Sequence, residues 1–378
     1  MSDGMPGRQF VGVDLHSRRS VVCRIDEQGV EVGCVRIDND PRALVREVRR
    51  AGSAAPVAVE ATYGWYWAVD ALQAAGCEVH LAHPYGIKGM RRRRRVKTDA
   101  KDAYELANLL RMGSLPEAYI APPELRQLRE LVRHRDRLTK ANTAVKAGIR
   151  ALLAKHNVAL PVSDLECLRA GDLLDAVALP GAYAHRLASQ RRLMLLLEAE
   201  IGAVEVELDH RLKHHPGYRN LLAVKGIGPV LAAVFVAEIG DITRFGGPDA
   251  LACWAGLTPR HYASDTTVRR GHVSKEGSVL VRWAAVEAIQ RSTEPSVRQR
   301  RQAIETRRGR GARNIAKVAA AHRMLDIVYY VLRDGTARAL QQPGGVNTQR
   351  LVRAEERHDP PGAGQPGGAV EEVNGPTP

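Results

Sequence analysis

Apolar positions change their period several times along the chain, and each change marks an element. Phe10-Val11-Gly12-Val13 is a short apolar run ending on Asp14, the pattern of a buried strand. Val21 to Ile25 and Val30 to Ile37 follow as strands, joined through the turn Asp26-Glu27-Gln28-Gly29. Pro41 to Ala51 has helical period, and Val57 to Glu60 is another apolar strand that ends on an acid. Trp65 to Ala75 is helical, Glu78 to Ala82 is a strand, and Ala100 to Leu110 returns to helical period with Ala103, Leu106, Ala107 and Leu110 on one face.

Three strands, helix, strand, helix, strand, helix is the order of a ribonuclease-H-like α/β layer, in which the first three strands form a meander and helices cover the sheet. From Pro122-Pro123 the pattern lengthens. Glu124 to about His156 carries Leu125, Leu128, Leu131, Val132, Leu138, Val145, Ile149, Leu152 and Leu153 among charged residues, as an amphipathic or coiled-coil helix does. A less regular part follows, and a second long helix runs from about Tyr183 to His214. The pair reads equally as a linking hairpin and as a dimerisation arm.

The last third is mostly helical. Val224-Lys225-Gly226-Ile227-Gly228 before Val230 to Ile239 resembles a helix-hairpin-helix. Its Gly226 and Gly228 would let backbone amides approach a phosphate, or would simply make a tight turn. Arg260 to Gly277 reads as a polar, basic loop with two hydroxyl candidates, Ser264 and Ser274, the latter at the start of a helix where it would act as a cap. Val279 to Ile289 and Ala312 to Leu332 are helices, and from about Asp334 the composition is that of a disordered tail.

Against this frame four acids stand out. Asp14 and Glu60 end the first and fourth strands, and Asp99 and Asp102 lie three residues apart at the start of the helix that faces them. Gathered carboxylates repel unless a cation sits between them, and hard oxygen donors suit Mg²⁺ or Mn²⁺. Two such ions roughly 3.5–4 Å apart can clamp the attacking and leaving oxygens of a phosphodiester. Beside them, Arg91-Arg92-Arg93-Arg94-Arg95 offers a place for phosphates.

Charge points the same way. The 378 residues hold 56 Lys and Arg against 42 Asp and Glu, a formal net charge of +14, which calls for a polyanionic partner such as nucleic acid. Cys23, Cys34, Cys77, Cys167 and Cys253 show no paired spacing, which argues against a zinc site or a disulfide framework and fits a reducing, cytoplasmic setting. No signal pattern or membrane-length apolar run is present, so the expectation is a soluble intracellular, nucleoid-associated protein.

Val11-Gly12-Val13-Asp14, Val59-Glu60 and Lys97-Thr98-Asp99-Ala100-Lys101-Asp102-Ala103 resemble the N-terminal domain of transposases of the insertion-sequence-110 group, whose acids form a RuvC-like Asp-Glu-Asp-Asp set. Val224 to Gly228, Ala255-Gly256-Leu257-Thr258-Pro259 and Ser274-Lys275-Glu276-Gly277 resemble that group's C-terminal serine domain. The resemblance implies α/β plus all-α architecture. It divides the chain into a flexible N-terminus (1–9), a RuvC-like catalytic domain (10–118), a helical coiled-coil arm (119–215), a mostly helical serine transposase domain (216–333) and a tail (334–378). It implies DNA recombination that moves the element, a bridging non-coding RNA that chooses donor and target, and a homo-oligomer (dimer or tetramer). Carried over by residue, Asp14, Glu60, Asp99 and Asp102 are the metal-binding acids and Ser264 the nucleophile, although Asp265 follows where many relatives have glycine; Ser274, which a lysine follows, is the fallback. Arg269, Arg270 and Lys275 would neutralise the phosphate. An arm of such length could keep a protomer's serine from its own acids, so that one protomer's Ser264 meets another's metal site. A junction-resolvase-type nuclease needs the acids without the serine, and a plain nucleic-acid-binding protein needs neither.

Overall fold

The computed structural model describes residues 7–62, 64–90, 98–264 and 267–335. The chain divides into two compact units, at Ala121 and Pro122. The arginine run at 91–95, and most of the segments expected to be a flexible N-terminus and a tail, lie outside the described residues.

The first unit holds β1 (Phe10–Leu15), β2 (Arg19–Ile25), β3 (Glu31–Asp38), α1 (Pro41–Arg49), β4 (Val57–Glu60), α2 (Trp65–Ala74), β5 (Val79–Ala82), α3 (Pro84–Met90) and α4 (Asp99–Arg111). The strands form one sheet in the order β3-β2-β1-β4-β5, antiparallel across the meander and parallel from β1 through β4 to β5, consistent with a ribonuclease-H-like layer. Alternation along each strand decides what faces what. Val11, Val13 and Leu15 of β1, with Val57 and Val59 of β4, pack into one core with Leu44 and Val48 of α1 and Val69 and Leu72 of α2. Gly12 and Asp14 therefore face the other way, toward α4, as do Ala58 and Glu60. Gly12 is required there, because a Cβ would collide with the carbonyl oxygen of Ala103 and the backbone of Ala107. Helix α4 thus lies on the bare backbone of β1, which fixes its first turn over the strand ends. The sequence did not reveal α3, a short helix with two glycines.

In the second unit, α5 (Pro123–Lys155), α6 (Leu168–Asp175) and α7 (Gly181–Leu212) come first. The two long helices pack along each other, and Ile149, Leu152, Leu187 and Met194 form a small core with Leu165 and with Leu174 of α6. Then come α8 (Pro216–Leu222), α9 (Pro229–Ile239), α10 (Pro248–Trp254), β6 (Pro259–Ser264), β7 (Thr267–Val273), α11 (Val279–Arg291), α12 (Pro295–Arg308) and α13 (Arg313–Asp334). Helix α9 is buried from Leu231 to Ile239 and, Glu238 apart, apolar on every face, the signature of a central helix. Leu208 and Leu212 of α7 and Val132 of α5 join the core around it. Arg129 of α5 donates to the carbonyls of Ala237 and Glu238 at the end of α9, satisfying acceptors that a helix C-terminus leaves open. No helix among the described residues is long and apolar enough to cross a membrane.

Candidate active site

The four acids of the first unit come from three elements. β1 and β4 run parallel with Val13 opposite Val59, so Asp14 and Glu60 stand side by side where the two strands end. Asp99 is the first residue of α4 and Asp102 lies one turn on. The cap of that helix is Thr98, whose side chain accepts from Lys101 N, so neither aspartate is spent on capping. Asp14 and Asp102 are buried. Burial is the largest influence on the Asp14 carboxyl and pushes it above the ordinary carboxylate range. His16 works against that rise, and Asp102, Glu60 and Asp99 each add to it. The structure therefore brings the other three sequence-identified acids within electrostatic reach of Asp14.

One group in this cluster escaped the sequence reading. His16 Nε2 lies 3.2 Å from Asp14 Oδ2 and 3.3 Å from Asp99 Oδ1, and Asp14, His16 and Asp99 each offer a ligand atom within 4.8 Å of the others. The signal was present, since His16 follows Asp14 by two positions and strand alternation puts both on the α4 side. Arg36 of β3 adds a contact of 3.3 Å to Asp99 Oδ2. A partly buried set of carboxylate oxygens with one imidazole fits a divalent cation, and the like charges favour one.

In the second unit, Arg260 to Val273 is not a loop. It forms an antiparallel hairpin in which Ser264 pairs with Thr267 at the end of the ladder, and Arg269 and Arg270 stand opposite Tyr262 and His261. At the hairpin's base, two turns distant in sequence interlock. Gly256 (φ 71°) approaches the backbone of Glu276, and Gly277 (φ 74°) approaches the carbonyl of Trp254. Both positions demand glycine, for conformation and for space. Ser274 is not a helix cap; its N–H donates to Thr258 O, and α11 is capped by Ser278. Lys275 takes a left-handed backbone in the same turn (φ 56°). Gly226 (φ 102°) sits against Ala288 and Ser292 at the end of α11, so packing accounts for it, whereas Gly228 precedes α9 with open space around it.

The cysteines hold a relation their spacing hides. Cys23 and Cys34 stand opposite each other across β2 and β3, with a Glu31 carboxylate oxygen within 4.8 Å of both thiols.

Acids at the ends of parallel strands, facing one helix, suit a divalent cation and the phosphoryl chemistry it supports. Two family models match the chain. One, described as transposase, matches residues 11–158, and another, described as the IS116/IS110/IS902 transposase family, matches residues 218–304. A Pseudomonas aeruginosa protein described as a probable family 20 transposase is 28% identical over 338 residues, covering 86% of this chain and 93% of that protein. A Sinorhizobium fredii protein described as the presumed transposase y4rJ is 32% identical over 272 residues, covering 65% of this chain and 68% of its own length. The transposase for insertion sequence element IS1111A of Coxiella burnetii is 23% identical over 333 residues, covering 86% of this chain and 89% of its own. The chain belongs to the IS110 family of transposases.

Proposed function

We propose that the chain cuts and rejoins DNA strands to move an insertion sequence, with Asp14, Glu60, Asp99 and Asp102 holding divalent cations and Ser264 as the nucleophile. Mg²⁺ or Mn²⁺ bound there would stabilise charge on the phosphoryl and leaving oxygens. One observation carries the reading. The buried carboxyl of Asp14 is surrounded by three further acids, and among the described residues no arginine or lysine pairs with it. Such an arrangement is costly without a cation and is common where catalysis occurs.

Ser264 lies inside the segment matched by the second family model. Its hydroxyl attacks phosphorus; the serine–phosphate bond forms as the phosphorus–sugar oxygen bond breaks, and the departing sugar oxygen takes a proton. The reverse attack by a new strand end restores the serine, so bond energy is kept for rejoining. Arg269, Arg270 and Lys275 supply positive charge for the phosphate. The net charge of +14 supports nucleic-acid partners, and a bridging RNA would choose donor and target DNA by base pairing. Self-association through the arm is supported by Leu195, Leu196 and Val206, all exposed on α7. In this reading residues 10–118 are the RuvC-like domain, 119–215 the arm and 216–333 the serine domain.

The test is rejoining of labelled element ends with wild-type protein, Ser264→Ala and Ser274→Ala, with protein–DNA adducts mapped by mass spectrometry. The expected outcome is an adduct on Ser264 and no rejoining by Ser264→Ala. Continued cutting by Ser264→Ala would favour a metal-dependent nuclease, and an adduct on Ser274 would displace the assignment.

A further inference from the structure

A cleft of about 610 Å³ lies between α12, α13 and the base of the β6–β7 hairpin, and none of the four acids lines it. Nothing in the family reading assigns it, and the stretch matched by the family model ends at 304, so Arg307, Arg308 and the α13 wall lie beyond it.

The two helical walls are built by spacing. On α12, Arg300, Ile304, Arg307 and Arg308 recur at intervals of four, three and one, which is one helical face. On α13, Ile315 and Val318 stand three apart and give the cleft an apolar floor. Arg300, Arg307 and Arg308 are exposed and, among the described residues, have no carboxylate partner. Arg301, which does not line the cleft, is paired with Glu305 at 3.1 Å. Three unpaired guanidiniums thus surround the cavity. Ile315 is 51% exposed although it is a large apolar side chain on an otherwise polar turn of α13.

An apolar floor with a cationic rim suits a ligand with a flat, weakly polar part and attached anions, and the volume lies in the ordinary range for small-ligand sites, ~300–1,000 Å³. A nucleotide has that shape. A duplex hides its bases and presents phosphates on a convex surface, so it would not enter a concave site; an unpaired base would. We infer that this cleft seats an unpaired nucleotide of a single-stranded nucleic acid, its base on Ile304, Ile315 and Val318 and its flanking phosphates on Arg300, Arg307 and Arg308. The inference rests on the transposase reading and adds a strand-anchoring site to it. β6 runs from Pro259 at the cleft to Ser264, about 17 Å at strand rise, so the cleft holds a strand at a distance from the serine and is a positioning site.

The experiment is fluorescence anisotropy on the full chain in chelator, titrating salt, with labelled single-stranded DNA, single-stranded RNA of the same sequence, and duplex DNA. The variants are Arg300→Gln/Arg307→Gln/Arg308→Gln and Ile315→Asp, each checked for folding by circular dichroism. The triple variant should lower the log–log salt slope for single strands by about 2, from three contacts at ~0.7 each. Ile315→Asp should weaken single-strand binding about tenfold and leave duplex binding within about twofold. The tighter of the DNA and RNA arms identifies the strand held. An unchanged slope in the triple variant overturns the inference, as does an Ile315→Asp effect that is absent or equally large on duplex. Because binding is read without cation or strand exchange, a chain that binds through the cleft yet never rejoins DNA would sink the recombinase reading alone. A recombinase with an unchanged slope would sink this inference alone.

Discussion

Asp14 in the first unit and Glu238 in the second are equally buried, each at 5% exposure, and their surroundings are opposite. Glu238 receives Arg133 through two contacts, Nε to Oε1 at 2.8 Å and Nη2 to Oε2 at 3.2 Å, with Ser278 Oγ donating at 3.3 Å. Its charge is resolved inside the fold by a forked guanidinium. Asp14 has His16 at 3.2 Å, and three acids that raise its carboxyl further. Burial alone does not distinguish scaffold from site. A buried carboxylate whose compensating charge is built in belongs to the scaffold, and one surrounded by like charge is arranged for a cation that arrives.

The largest expected effect breaks this comparison at Asp14. Asp14→Asn should reduce DNA rejoining by more than about a hundredfold, since even groups that only orient metal ligands matter by 10–100-fold. The melting temperature in chelator should hold or rise, because one member of a repelling set is gone. A lower melting temperature with rejoining retained would place Asp14 with Glu238 as scaffold.

The second effect is on stability and has the opposite character. Arg133→Ala leaves Glu238 buried without its fork and should cost about 3 kcal/mol in denaturant unfolding. Rejoining by the fraction still folded should be unchanged. A cost below about 0.5 kcal/mol would mean that solvent compensates Glu238 and that the contrast is weaker than its geometry.

Much of the first unit was legible because its signals are local and agree with one another. Apolar runs ending on Asp14 and Glu60, and acids three apart at a capped helix start, each follow from one element's own period. What escaped depends on register or on packing between distant segments. Arg36 reaches Asp99 across the meander, Cys23 meets Cys34 through the β2–β3 ladder, and Gly256 meets Glu276 across a whole hairpin. Pro259 to Val273 lacks apolar alternation and so reads as a loop, although the chain pairs it as two strands. Helix α12 was missed for a related reason: Val297, Ala303 and Ile304 are too few to set a period, and only the helix propensity of its Arg and Gln residues marked it.

Glu294 sharpens the comparison from between the two extremes, with the smallest expected effect. It is 3% exposed at the N-cap of α12; burial raises its carboxyl from the usual range, and Lys225 offsets part of that rise. It has more compensation than Asp14 and less than Glu238. Because its folded pKa stands above its unfolded value, the folded chain holds this proton more tightly than the unfolded chain does. The stability it contributes is fully present below the unfolded pKa and is lost as pH rises through the folded one. Glu294→Gln keeps the shape and removes the charge. The variant should therefore melt higher than the parent near neutral pH, by no more than about 4 °C for a chain of this size. The gap should close as pH falls to about 4, where the parent's carboxyl is also neutral. Melting curves across that range decide it. A variant that melts lower than the parent at neutral pH would mean that Lys225 compensates Glu294 fully, and Glu294 would then join Glu238 as a carboxylate whose charge the fold itself resolves.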